Sequence, residues 1–328
     1  MNNLSTNCLL FADDLVLLSE SPQGLQNCLD KLGSYCHKWG LNVNLSKTKI
    51  VLFNKGGMKI TRYKFYLYGE EIEIVQSYCY LGIVFASCGT FTQAIKTLCH
   101  KACKALFALK NIDTSNNAML TFKLFDSLVS PIITYGIEAW GPFLLDENKF
   151  DNLNSLKSMF EFMPIERLNI KICKYILGVS RKSSNDAVRG ELGRYPLLLT
   201  AILRWLRFTA RCYSLPANNL LKLSLPKLTE FPSATQHTWA FNIKSLFTSF
   251  LYDKGLVFSS DMLFNENIIS GIHEYLISKY QSSWHSAIHK GYDPNQPNKL
   301  RTYALFKNSF GMENYVISLK KNEETPFH

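Results

Sequence analysis

The nine cysteines of this chain include no C-x-x-C pair, and their odd number leaves one thiol over in any complete pairing. That spacing disfavours both a zinc ribbon and a disulfide framework. The thiols read instead as reduced, mostly buried side chains of an intracellular protein. There is no G-x-x-x-x-G-K-[ST] loop and no G-x-S-x-G elbow, so a nucleotide-hydrolysing switch or a serine hydrolase finds no support. Unbroken apolar runs are also missing. The longest candidate, Leu128 to Leu145, is interrupted by Pro131, Gly136 and Pro142 and carries Glu138, which points to a buried helical segment rather than a membrane span. Leu9 to Leu18 has Asp13 and Asp14 in its middle and no basic segment before it, unlike a secretion signal. His285 and His289 share a helical face but lack a nearby Cys or acidic pair to complete a metal set, and they read as an ordinary exposed face. No internal repeat or low-complexity tract stands out.

What is present suits a globular protein with nucleic acid among its candidate partners. At 328 residues, 47% hydrophobic and 13% aromatic, the chain can fill two or three ordinary cores. Lys and Arg number 36 against 26 Asp and Glu, a net charge of +10. Such a surplus favours a polyanion, because each neutralised phosphate releases condensed counterions. A basic balance alone also suits proteins that bind no nucleic acid.

Strand and helix signals alternate only in the first ~90 residues. Asn7 to Ala12 and Leu15 to Leu18 read as strands joined at Asp13-Asp14, and Ser21-Pro22 opens a helix that Gly40 ends. Leu25, Cys28, Leu29, Leu32, Tyr35, Cys36 and Trp39 share one face of that helix. Thr48 to Phe53, Lys64 to Tyr68 and Glu71 to Val75 (flanking a Gly-Glu turn), and Tyr78 to Phe85 predict further strands, most simply of one antiparallel sheet packed on the helix. From Phe91 the pattern turns helical. Helices are expected over 91–109, 117–135, 148–162, 166–177, 185–192, 197–213, 238–252, 266–289 and 299–307, with a polar tail after Lys320. The fold class is therefore α+β, divided near 90 and more softly near 164, giving segments 1–90, 91–164 and 165–328.

The residues with the clearest chemical content are Asp13 and Asp14, adjacent carboxylates between two apolar strands. Asp favours turns through its own hydrogen bonds to the backbone, which is the bland explanation. The alternative is a cation site, since hard divalent ions want clustered carboxylate oxygens. Lys96, His100 and Lys104 form a stripe at i, i+4, i+8, either a solvated face or a track for phosphates.

Leu9-Leu10-Phe11-Ala12-Asp13-Asp14-Leu15-Val16-Leu17-Leu18 resembles the [FY]-A-D-D signature of reverse transcriptases of non-LTR (long interspersed) retrotransposons. Further stretches follow in the same order. Gly40 to Lys49 is similar to the next palm motif, and Tyr80-Leu81-Gly82-Ile83-Val84-Phe85 to the primer-grip hairpin. Pro131 to Gly141 is similar to a thumb segment, and 177–196 and 299–303 to the helical tail of related elements.

The resemblance implies a partial reverse-transcriptase palm, antiparallel sheet plus helix, over 1–90, thumb-like helices over 91–164 and a helical C-terminal region. It implies RNA-directed DNA synthesis with Asp13 and Asp14 binding Mg2+, or Mn2+ in its place, and Lys47 or Lys49 protonating the leaving pyrophosphate. Tyr80, Leu81 and Gly82, with Lys96 and Lys104, would contact nucleic acid. The implied partners are an RNA template, a DNA primer and dNTPs, with no membrane and no particular protein, and the implied place of work is intracellular, in the nucleus if the chain takes part in retrotransposition. The family also needs a third carboxylate on an earlier strand. Only 12 residues precede Asp13, too few for a strand, a crossover of about ten residues and a return strand. The expectation is thus an incomplete catalytic set, with a truncated polymerase fragment inactive by itself. The rival readings are a non-catalytic RNA or RNA/DNA-binding helical module and an inert pseudogene product. Arg181, Lys182, Arg189, Arg194, Arg204, Arg207 and Arg211, interleaved with Tyr195, Trp205 and Phe208, suit the binding module, while core positions are the bland reading of Trp205 and Phe208.

Overall fold

Ser21 caps the first helix as its spacing predicts: the side-chain oxygen accepts from the Gly24 N–H at 3.1 Å, and Pro22 occupies the first helical position, where its missing N–H costs nothing. This helix, α1 (Pro22–Trp39), stops at Gly40, which turns left-handed at φ 65°. The computed structural model to which it belongs describes residues 7–54, 63–111, 117–144, 161, 163–229, 250, 266–289, 300 and 302–317. The chain divides into two units, Met1–Ala94 and Ile95–His328.

In the first unit α1 buries Leu29 against Ile50, Phe65, Leu67 and Ile72, with Leu17, Leu25 and Leu32 packed around them. Tyr35 and Trp39 depart from the expected face and are 56% and 61% exposed. At 100° per residue they lie roughly 70 to 110° round the helix from the line through Leu29 and Cys36. The strands are short: β1 (Cys8–Phe11), β2 (Asp14–Leu17), β3 (Ile50–Val51), β4 (Phe65–Leu67), β5 (Glu70–Ile72), β6 (Ile74–Val75), β7 (Ser77–Tyr80) and β8 (Ile83–Ala86).

These strands do not make the single antiparallel sheet expected from the sequence. They form separate pairs, β1–β2, β4–β5 and β7–β8 antiparallel, and β3–β6 parallel. The reason lies at Glu73: Glu70 to Ile72 folds back on β4, and after Glu73, whose carbonyl accepts from the Ile50 N–H at 3.0 Å, the chain runs alongside β3 instead. The hairpin turns are Ala12–Asp13, Tyr68–Gly69 and Leu81–Gly82. The first two fall one residue earlier than the sequence suggests. Ala12, Tyr68 and Leu81 each take positive φ, at 53°, 55° and 46°, matching the twist of two-residue hairpins at a cost of about 1–2 kcal/mol each.

The second unit is helical. α2 (Thr92–Lys110) buries Leu98, Ala102, Leu106 and Leu109. A single helix expected over 117–135 is instead α3 (Ala118–Leu124), a wider π turn (Phe125–Val129) and α4 (Ser130–Ile133). Pro131 has no N–H to give the Ser127 carbonyl and its ring crowds that group, so the helix widens just before it. After α5 (Ile137–Trp140) and a 3-10 turn (Gly141–Leu144) come α6 (Pro164–Ile176), α7 (Asn185–Leu192), α8 (Leu197–Ser214), α9 (Leu220–Thr229), α10 (Glu266–Ile288), α11 (Tyr303–Phe306) and α12 (Asn314–Ile317). Val129, Ile133, Ile137 and Trp140 are fully buried while Leu128 and Tyr135 are exposed, so one face of the broken apolar stretch is core. Among the described residues no helix is long and apolar enough to cross a membrane. α8 carries Trp205 and α10 carries Trp284 into the same unit's core, where the two helices pack on each other. The helices expected over 148–162 and 238–252 lie almost wholly outside the described residues. The one expected over 299–307 is only the short α11, and α9 and α12 stand where the sequence gives no helix signal. The fold class is α+β, with a helical C-terminal region.

Candidate functional site

The β1–β2 hairpin pairs Phe11 with Asp14, which leaves Ala12 and Asp13 as its two-residue tip. Asp13 therefore sits in the turn and Asp14 opens the returning strand, both exposed. The hairpin is anchored by Leu17 against the α1 core. Leu10 and Phe11 are 71% and 63% exposed, and neither strand has a second partner among the described residues. Exposed adjacent carboxylates on a short, apolar-flanked turn can offer hard oxygen ligands to a divalent cation. No group of three His, Cys, Asp or Glu side chains suited to a metal gathers among the described residues.

The segment carrying Lys47 is a tight turn organised by Asn44. Its side-chain oxygen accepts from the Lys47 N–H at 3.1 Å and from the Ser46 hydroxyl at 2.7 Å, and its carbonyl accepts from the Thr48 N–H at 3.0 Å. The Tyr78 hydroxyl donates to the Lys47 carbonyl at 2.8 Å, tying this turn to β7. Of the two lysines proposed as proton donors, Lys49 is engaged with Glu73 at 2.7 Å. Lys47 is exposed and makes no ion pair among the described residues, with Asp13 and Asp14 included. Tyr80, Leu81 and Gly82 form the bend of the β7–β8 hairpin, so the Tyr78 bond connects the Lys47 turn to that hairpin.

Lys96, His100 and Lys104 are exposed along α2, in the second unit. Phe107 joins them, 69% exposed and 11 residues from Lys96, which is about three helical turns. An exposed ring after basic side chains can stack a base. Its spacing is legible in the sequence, but its exposure is not.

Four arginines of the set in the second unit face carboxylates. Arg189 on α7 is fully buried and donates to Glu161 and Glu166, each at 2.9 Å. Glu166, on α6, also accepts the Leu198 N–H at 2.9 Å, so one carboxylate joins α6, α7 and the start of α8. Burial pushes the Glu166 carboxyl above its ordinary value, opposed by Arg189 and the Leu198 N–H. Burial pulls Arg189 down, but Glu166, Tyr280 and Glu161 outweigh it and hold the guanidinium charged. Arg194 grips Asp126 and lies over the rings of Phe122 and Phe125, at 4.9 and 5.6 Å. Arg204 pairs with Glu138 at 2.6 Å and Arg207 with Glu266 at 2.9 Å. Trp205 is fully buried and Phe208 half-buried. Arg189 and Arg194 thus serve the framework, Arg204 and Arg207 face carboxylates nearer the surface, and Arg181, Lys182 and Arg211 are exposed.

Residues 1–85 match the family described as reverse transcriptase (RNA-dependent DNA polymerase). The chain is similar to an uncharacterized transposon-derived protein of Caenorhabditis elegans, 29% identical over 141 residues, which is 43% of this chain and 50% of the relative. It is likewise similar to a Drosophila melanogaster protein designated an RNA-directed DNA polymerase from transposon BS, 29% identical over 140 residues, or 40% of this chain and 16% of the relative. The chain thus spans half the length of the first relative and a small part of the second. No solved structure matches. These matches support a relation to a transposon reverse transcriptase, with the family match falling at residues 1–85.

Proposed function

We propose that this chain is part of the reverse transcriptase of a non-LTR retrotransposon, contributing the carboxylate hairpin of the palm over 1–90, thumb-like helices over 91–164 and a helical C-terminal region, and that it works in the nucleus. The observation that carries the reading is the β1–β2 hairpin, which holds Asp13 and Asp14 side by side and exposed at an apolar-flanked tip. Asp13 and Asp14 fit a Mg2+ or Mn2+ ion as two of its oxygen ligands. When bound, the metal lowers the pKa of the primer hydroxyl and stabilises the departing pyrophosphate. Lys47, rather than the ion-paired Lys49, supplies a proton to the pyrophosphate. The bend at Tyr80, Leu81 and Gly82 and the α2 lysines Lys96 and Lys104 hold template and primer through backbone phosphates.

A second reading, that these 328 residues do not polymerise by themselves and act by binding RNA or an RNA/DNA hybrid, draws support from the surplus of 36 Lys and Arg over 26 Asp and Glu. Two assays test the pair of statements. Mn2+ binding, read from proton relaxation, is expected on the order of millimolar and lost in Asp13→Ala; relaxation indifferent to that change and to Asp14→Ala refutes the metal site. Primer extension on an RNA template is expected to give no incorporation, and robust incorporation abolished by Asp13→Ala would overturn the inactivity while establishing the catalytic role.

A further inference from the structure

The ion-pair pattern of the second unit separates its cations into two populations. Arg189, Arg194, Arg204 and Arg207 face carboxylates. Arg167, Lys171, Arg181 and Lys182 are exposed and make no ion pair among the described residues. These four lie close together in the chain. α6 turns Ile165, Leu168, Ile172 and Ile176 into the core, and its opposite face carries Arg167, Lys171 and Lys174 at i, i+4 and i+7. That spacing holds the three within about 60° of arc and about 10 Å of axis.

The end of α6 brings two more cations to that face. Gly178 takes φ 63° and closes the helix: its N–H donates to the Tyr175 carbonyl at 3.2 Å and the Val179 N–H to the Lys174 carbonyl at 3.1 Å. The chain then makes a turn in which the Ser183 N–H donates to the Ser180 carbonyl at 3.0 Å, leaving Arg181 and Lys182 at its outer positions. The Lys174 ammonium donates to the Arg181 carbonyl at 2.9 Å and locks the turn against the helix end. Cations in a last helical turn also favour the helix itself. That explains Lys174, but not Arg167 near the other end or the two cations of the turn.

We propose that Arg167, Lys171, Arg181 and Lys182, presented by the outer face of α6 and its closing turn, bind the phosphate backbone of nucleic acid. The stripe spans about three nucleotide rises of 3.4 Å along one strand, so it can meet successive phosphates without reading bases. This surface rests on the nucleic-acid reading above and names where in the helical region the backbone lies.

The test is fluorescence anisotropy of the full chain with a labelled RNA/DNA hybrid across a salt series. Lys171→Glu/Arg181→Glu is compared with Lys31→Glu/Lys123→Glu, which makes the same charge change at exposed sites elsewhere. The α6 reversal should weaken binding at least tenfold at low salt and flatten the slope of log affinity against log salt by about 0.9 for each phosphate no longer neutralised; the other pair should leave the slope unchanged. Equal losses in both variants, or wild-type binding that ignores the α6 reversal, would remove the surface while leaving the nucleic-acid reading intact. Absence of salt-dependent binding by the wild-type chain would refute both. Binding to phosphatidylserine vesicles with none to the hybrid would assign the face to a membrane surface and overturn the proposal.

Discussion

Replacing Arg189 with Met should destabilise the second unit by about 3–5 kcal/mol at neutral pH, the usual result of removing one partner from a buried pair. Arg189 is fully buried, and its removal leaves Glu166, 1% exposed, with only the Leu198 N–H at 2.9 Å and the Asn169 amide at 3.2 Å. A carboxylate so placed escapes by taking up a proton, and the sign of the pH response follows. Burial already raises the folded-state pKa of Glu166 above its ordinary value, and losing Arg189 removes an opposing influence. The folded chain then binds more protons than the unfolded one, so stability is fullest below the unfolded pKa of about 4.3 and falls as pH rises toward the folded value, by about 1.4 kcal/mol per pH unit. Urea unfolding followed by tryptophan fluorescence at pH 5 and pH 7.5 reads this directly, since Trp140, Trp205 and Trp284 are buried in that unit. Adding Glu166→Gln should remove most of the pH dependence. A loss under about 1 kcal/mol with no difference between the two pH values would refute the assignment of Glu166 and Arg189 as a buried, mutually dependent pair.

Two further outcomes are expected. An alanine Cβ at Gly141 would overlap the Trp205 indole, so Gly141→Ala should destabilise the same unit by about 1–3 kcal/mol, measured as a lowered urea midpoint; an unchanged midpoint refutes that close approach. Hydrogen bonding to Thr90, at 3.1 Å from the sulfur, lowers the Cys88 thiol below its ordinary value. Iodoacetamide should therefore label Cys88 at lower pH than buried Cys173, whose thiol burial raises to about 11, and Thr90→Val should delay Cys88 labelling; equal labelling pH with and without Thr90 would sink this idea.

Local chemistry made much of the fold legible. The limits of α1 follow from Ser21-Pro22 and Gly40, and those of α7 and α8 from their apolar period, because caps and amphipathic repeats act over one or two turns. The acidic tip was legible too, since Asp13-Asp14 between Leu-rich strands is a short-range pattern. Pairing was not. Nothing in Glu71 to Val75 states that the strand leaves β4 at Glu73 to lie parallel to β3, because that depends on which neighbour is within reach. Charge was the other blind spot. Arg189 and Lys182 look alike in sequence, yet one is sealed between Glu161 and Glu166 and the other stands exposed on a turn. An arginine's role depends on the partners that come within a few ångströms of it, and for Arg189 these lie 28 and 23 residues away. By itself, the sequence determined that this is an α+β chain with a reverse-transcriptase-like carboxylate turn and a surplus of cations. Only the tertiary structure decided which cations build the framework and which stay exposed without an ion pair among the described residues, since desolvation and ion pairing are set by distance in space.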